Sequence, residues 1–155
     1  MLATVLTDKR PIIKVSINGH ETAALVDTGA SLSIVGEQAM SEYKFKRGSK
    51  LAGTVIGLDG SEQSMYHTGK DFDFKVEGLP AYQFVIGNID AVKASIKKET
   101  GIEISAIIGY PTIKQLELII NPSTNEISIG YKDLEALLLS KNIFYLKRTP
   151  TNILR

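Results

Sequence analysis

Asp27 is the residue of this 155-residue chain whose setting best suits chemistry. Leu25 and Val26 deliver it from an apolar run into Thr28-Gly29-Ala30-Ser31. Those four residues are small or polar, so backbone amides and hydroxyls can approach the carboxylate closely and hold it in one orientation. A carboxylate held in that way can serve as a general base or acid. The same residues also suit an Asx-type turn, in which Asp27 accepts backbone hydrogen bonds and performs no reaction. Local chemistry leaves both readings open. One carboxylate does not readily supply both the base and the acid that amide hydrolysis requires.

Other residues carry weaker signals. His20 and His67 are isolated in sequence and read as surface or hydrogen-bonded histidines rather than ligands or bases. Asp71 and Asp73 alternate with Phe72 and Phe74, which a solvated strand face explains better than a metal site with too few ligands. Lys44-Phe45-Lys46-Arg47 and Lys97-Lys98 read as solvated faces. Ser31 has no evident histidine relay, so serine hydrolase chemistry is a poor competitor. No metal and no cofactor is expected.

The elements that must position Asp27 are largely extended. Ile13, Val15 and Ile17 recur with period two, and Asn18-Gly19 precedes a second apolar-rich run over residues 20–26. Asn and Gly accept the positive φ values of a type I′ turn, so a hairpin is expected that runs directly into Asp27. Residues 48–68 contain Gly53, Gly57 and Asp59-Gly60, which suits a glycine-tipped hairpin or an ordinary surface turn. Phe72, Phe74 and Val76 alternate, residues 77–80 interrupt, and Tyr82, Phe84 and Ile86 are expected to form a returning strand. Val92 and Ile96, with Gly101 beyond them, predict a helix over residues 90–100. A strand through Ile104, Ile107 and Ile108 reaches Gly109, and Pro111 suits the first turn of a following short helix. Residues 116–120 and 126–129 flank Asn121-Pro122-Ser123-Thr124-Asn125 as a last hairpin. In the tail, Asp133 is placed to cap a helix carrying Leu134, Leu137 and Leu138, and residues 143–146 suit an extended segment. The expected whole is an all-β domain with short helices.

Length and composition bound the rest. A chain of this size is expected to form one domain over residues 1–130, with residues 131–155 as an extension packed on it or at a subunit contact. Surface scaling buries roughly 69% of the extended chain's area, enough for a core without staples. Apolar residues make up 43% and charged residues 23%, which excludes disorder as the main description. Eighteen basic residues against seventeen acidic give +1, so no polyanionic partner is indicated and no nucleic acid is expected. The absence of cysteine removes disulfides, thiol nucleophiles and thiolate metal sites together. No membrane segment and no signal peptide is evident. Location stays open: cytoplasmic if the chain is complete, exported if a leader has been removed.

ALVDTGAS at residues 24–31 resembles the catalytic loop of the retropepsin-like aspartic proteases, the single-lobe relatives of pepsin. An apolar hairpin precedes it, a glycine-containing region follows, and Ile107-Ile108-Gly109 is similar to the family's apolar-apolar-glycine element before a helix. Residues 11–130 follow that pattern in order. The resemblance implies a half-barrel lobe completed by dimerisation, in which Asp27 is one of two catalytic carboxylates and its mate comes from a second copy. It implies that Thr28 braces the paired loops and Gly29 permits close approach, with Ala30 and Ser31 forming wall and support. Ile107, Ile108 and Gly109 would pack beside the loop. Val55, Ile56, Gly57, Leu58, Asp59 and Gly60 would lie near the tip of a flap closing over an extended peptide. There Ile56 and Leu58 would favour apolar contacts, and Asp59 would disfavour a nearby acidic residue.

The implied activity is an aspartic endopeptidase acting through activated water at a homodimeric site. Two like charges forced together do not easily both ionise, so such a pair shares a proton and titrates as a unit. The chain departs from the family in a flap with few glycines and in Tyr110-Pro111 after the apolar-apolar-glycine element. Because it holds one DTG, two alternatives stand beside the enzyme: a noncatalytic peptide-binding or assembly module, and one lobe of a longer two-lobe protease.

Overall fold

The computed structural model describes residues 1–56 and 60–130. Gly57, Leu58, Asp59 and the whole 131–155 extension, with its expected helix and strand, lie outside the described residues.

The first hairpin forms where the alternation places it. β1 (Ile12–Ile17) pairs antiparallel with β2 (His20–Val26), in a register that sets Ile17 opposite His20 and Ile12 opposite Leu25. Asn18 and Gly19 turn at φ 49° and 82°, the left-handed values the pair tolerates. The Asn18 side chain also ties down distant chain. Its Nδ2 donates to the carbonyls of Tyr43 and Asp71, both at 3.0 Å, and its Oδ1 accepts from the Asp73 amide at 2.8 Å.

After Asp27 the chain enters β3 (Ser33–Gly36) and then α1 (Ala39–Tyr43), a five-residue helix whose sequence has no usable periodicity. β4 (Arg47–Ile56) and β5 (Glu62–Thr68) form the expected antiparallel hairpin, with register shifts between Arg47 and Gly53. The next hairpin departs from expectation. β6 (Phe74–Val76) is answered by only two residues, β7 (Leu79–Pro80). Pro80 has no amide proton to continue the ladder, and Gln83 at φ 68° turns the chain away. Phe84 and Ile86 therefore belong to β8 (Phe84–Gly87), which lies parallel to β3 and antiparallel to β5 rather than returning along β6.

α2 (Asp90–Thr100) ends at Gly101, as its sequence predicts. β9 (Ala106–Ile108) is shorter than the expected strand, with Ile104 buried just ahead of it. α3 (Tyr110–Leu116) carries Pro111 in its first turn and takes in Leu116, so the last hairpin starts only at β10 (Ile119–Asn121), paired with β11 (Glu126–Ser128).

The strands assemble in the order β4-β5-β8-β3-β9-β2-β1-β6-β7, with β10 and β11 as a separate pair. The N-terminal segment connects the two sheets, because the Ala3 amide donates to Ile127 and the Lys14 amide to Thr4. The result is a mixed sheet with short helices. One face buries Ile13, Val15, Val26, Val35, Phe74, Phe84 and Ile108, with Phe74 stacked on Phe84 at 4.2 Å between ring centroids. A second apolar cluster gathers Ile12, Leu25 and Ile107 from the sheet under Ile96 of α2. Among the described residues, no helix is long and apolar enough to cross a membrane.

Candidate active site

The Asp27 loop joins β2 to β3, two strands that flank β9, itself from far along the chain. β2 runs parallel to β9, with Leu25 opposite Ile107 and Val26 opposite Ile108. β3 runs antiparallel to the same β9, with Ile34 opposite Ile107. Asp27 and the residues up to Leu32 thus leave on one side of β9 and return on the other.

Backbone hydrogen bonds hold the loop. The Asp27 amide donates to the Ile108 carbonyl at 2.9 Å, the Ala30 amide to the Asp27 carbonyl at 3.1 Å, and the Tyr110 amide to the Ala30 carbonyl at 2.8 Å. The Gly29 amide donates to Asp27 Oδ1 at 2.9 Å, holding that oxygen against the loop. That contact is what an Asx turn provides and equally what a positioned catalytic carboxylate needs. Oδ2 makes no hydrogen bond among the described residues.

Gly109 is required by space. A Cβ there would lie 2.6 Å from the Leu32 carbonyl carbon and 2.9 Å from the Ala30 oxygen, so the apolar-apolar-glycine element touches the loop's own backbone. Beneath it runs a chain of polar groups. The Gly109 amide donates to Ser33 Oγ at 3.0 Å, Ser33 lies 2.6 Å from Thr112 Oγ1, and Thr112 donates to the Tyr82 carbonyl at 3.2 Å. With the last bond using the Thr112 proton, Ser33 is the donor between the two hydroxyls, and every group in the chain is satisfied. Ser33 and Thr112 are fully buried. Neither was singled out from sequence. The only available signal was a serine and a threonine inside apolar segments next to the loop and to Gly109.

The other expected residues distribute as follows. Thr28, Gly29 and Ser31 are exposed, and Ala30 is partly buried against the second apolar cluster. The Ser31 hydroxyl makes no hydrogen bond among the described residues; the buried hydroxyl next to the loop is that of Ser33. Val55 pairs with Gln63 and Ile56 with Glu62 at the outer end of the β4–β5 hairpin, where Ile56 is exposed; Gly60 follows at the start of the returning arm. β8, β3 and β9 separate that hairpin from β2 in the sheet order. His20 lies against Tyr43, with 5.7 Å between ring centroids.

A groove of about 230 Å³ opens at Asp27, lined by Arg10, Pro11, Leu25, Val26, Thr28 and Ile120. Among the described residues, Asp27 is its only acidic residue. Arg10, Pro11 and Ile120 are site residues that local sequence did not reveal, because the fold alone brings them to Asp27. No group of three or more His, Cys, Asp or Glu side chains suited to a metal ion occurs among the described residues.

The comparisons agree with this architecture. The profile of the aspartyl protease family matches residues 13–112. No curated protein sequence matches the chain. The retroviral protease-like domain of Ddi1 from Leishmania major superposes with a TM-score of 0.52 at 18% identity, covering 83% of this chain and 90% of that one. EIAV protease, solved in complex with the inhibitor HBY-793, superposes with a TM-score of 0.53 at 20% identity, covering 74% of this chain and 94% of that one. With a family match spanning more than half of its length and this fold around Asp27, the chain belongs to the retropepsin-like aspartyl proteases.

Proposed function

We propose that the chain is an aspartic endopeptidase whose active site is completed by a second copy of itself. The observation that carries this reading is the setting of Asp27: one carboxylate oxygen held by the Gly29 amide, the other without a protein partner among the described residues, at an open groove. Because the groove holds one carboxylate, a second Asp27 across a two-fold axis supplies the missing acid or base. Exposed Leu2 and Leu6 on the N-terminal segment and exposed Ile119 on β10 provide apolar surface for such a contact.

In this mechanism the pair shares one proton. The ionised carboxylate accepts a proton from water as its oxygen attacks the peptide carbonyl, while the protonated carboxyl donates to the carbonyl oxygen. The tetrahedral intermediate then collapses with cleavage of the C–N bond and proton transfer to the departing amine. The β4–β5 hairpin acts as the flap, with Val55, Ile56 and Gly60 toward its outer end against an extended peptide. Thr28, Gly29, Ala30 and Ser31 support the paired loops.

The test combines Asp27→Asn with sedimentation. Peptide cleavage that disappears in the variant while fold and dimer persist meets the expectation. Undiminished turnover rejects the mechanism. A chain that stays monomeric and inactive at all concentrations favours one lobe of a longer enzyme, and a stable dimer that binds but never cuts favours a binding module.

A further inference from the structure

We infer that a small pocket between β6 and β8, separate from the groove at Asp27, docks a lysine side chain carried by a peptide segment. The inference goes beyond the protease reading and does not depend on it.

The pocket forms where the strand ladder breaks. β6 and β8 are not neighbours in the sheet order, yet Phe74 stacks on Phe84 at 4.2 Å and Phe72 lies 5.9 Å from Phe84 between ring centroids. Pro80 ends the short β7, and Gln83 at φ 68°, a left-handed value that few side chains adopt, turns the chain into β8. The gap they leave is a cavity of about 120 Å³, lined by those three phenylalanines and by the polar side chains of Thr68, Asp73, Tyr82 and Gln83. It shares no lining residue with the groove at Asp27. Pockets that take whole small molecules measure roughly 300–1,000 Å³, so this one holds a single side chain.

Its chemistry selects a cation. Among the described residues, Asp73 is the only charged residue of the lining. No hydrogen bond reaches its carboxylate there; Lys75 Nζ stands 3.6 Å from Oδ2, an ion pair longer than a hydrogen bond. The side chains of Thr68, Tyr82 and Gln83 likewise make no hydrogen bond among the described residues. One carboxylate and three neutral oxygens beside aromatic rings suit an ammonium, whose three donors rotate to meet them while its methylene stem covers the rings. The planar guanidinium is bulkier and less adaptable in so small a volume.

The walls are already pinned. Asn18 Oδ1 accepts from the Asp73 amide and the Asn18 amide donates to the Asp73 carbonyl, both at 2.8 Å. Opposite, Gln115 Nε2 donates to the Pro80 carbonyl at 3.0 Å, and the Tyr82 amide donates to Gln115 Oε1 at 2.8 Å. Tyr82 is 62% exposed, and its ring gives the backbone of a peptide a surface that a free amine would not use. The occupant is therefore a lysine on a polypeptide.

The test is an NMR titration of the isotope-labelled full chain at low salt. The probes are an alanine pentapeptide with a central lysine, its glutamine and norleucine counterparts, and butylamine alone. Saturable shifts of the Thr68, Asp73 and Gln83 amides are expected with the lysine peptide, and binding about tenfold weaker with the glutamine and norleucine peptides. Asp73→Asn, an exposed substitution whose spectrum away from the pocket verifies the fold, is expected to lose binding to the same degree, and Asp73→Glu to keep part of it. Lys75→Ala is expected to tighten binding about threefold, because it removes the cation that competes for Asp73. Tyr82→Ala is expected to weaken the peptide and not butylamine. No saturable shift at these amides overturns the inference, as does equal binding of the glutamine or norleucine peptide, or binding that survives Asp73→Asn. Butylamine bound as tightly as the lysine peptide overturns the assignment to a peptide. Cleavage is not read, so failure of the protease reading leaves each of these outcomes unchanged.

Discussion

Replacing Gly109 with alanine isolates what the close approach of β9 does for the Asp27 loop. The added methyl meets the carbonyl of Leu32 and the oxygen of Ala30, all backbone atoms, so no side-chain rotation relieves the contact. Gly109 has φ −99°, a value any residue adopts, so the perturbation is purely steric. Restoring ordinary contact displaces the loop or β9 by roughly 1 Å, and overpacking of that kind costs about 2–3 kcal/mol. For a domain of this size that lowers Tm by about 5–10 °C. A shift of about 1 Å at a reacting carboxylate also reduces kcat by about 100-fold. Gly101→Ala is the control: it has open space but φ 78°, so it is expected to cost about 1 kcal/mol from backbone strain and leave turnover unchanged. Calorimetry, peptide cleavage and the Asp27 amide resonance report the three effects separately. A Gly109→Ala chain with unaltered Tm, Asp27 shift and turnover would refute the idea that this contact sets the loop.

Further outcomes follow from the hydrogen bonding. Ser33→Ala leaves the buried Gly109 amide and Thr112 hydroxyl short of partners and is expected to cost about 1–3 kcal/mol, read from urea unfolding. Asn18→Ala removes three bonds to residues 43, 71 and 73 and places alanine at φ 49°; a loss of about 2–4 kcal/mol is expected, seen as a lower midpoint at constant m. The hydrogen bond and charge of Lys97 hold the Glu103 carboxyl below its ordinary value. A depressed folded-state value means that the contribution is present above the unfolded value and fades as pH falls through the folded one. Lys97→Ala is expected to move the Glu103 titration upward in carbon-detected NMR.

Much of this architecture was legible locally. Asn18-Gly19 announced its hairpin, Gly101 the end of α2, and Pro111 the start of α3, because each reports a backbone preference of its own residue. Asp27 stood out by the company of Thr28, Gly29 and Ala30. What stayed hidden depends on partners remote in sequence. Nothing near Phe84 announces that it leaves β6 to lie beside β3, and the single turn of α1 is too short for periodicity. Ser33 and Thr112 meet across the fold, and Arg10 gains its place only once Pro11 pairs with Val26.

The split construction of the Asp27 loop also sets a schedule for the growing chain. Ser33 bonds Gly109 across 76 positions and Thr112 across 79, so the loop has no floor until β9 and α3 exist. At ordinary rates of synthesis the ribosome takes about 4–15 s to add that stretch. Through that interval the nascent chain carries its key aspartate without the geometry that gives it purpose, and the β1–β2 hairpin waits with its inner edge unpaired. Any chain cut short before Ile108 keeps the aspartate and lacks the site.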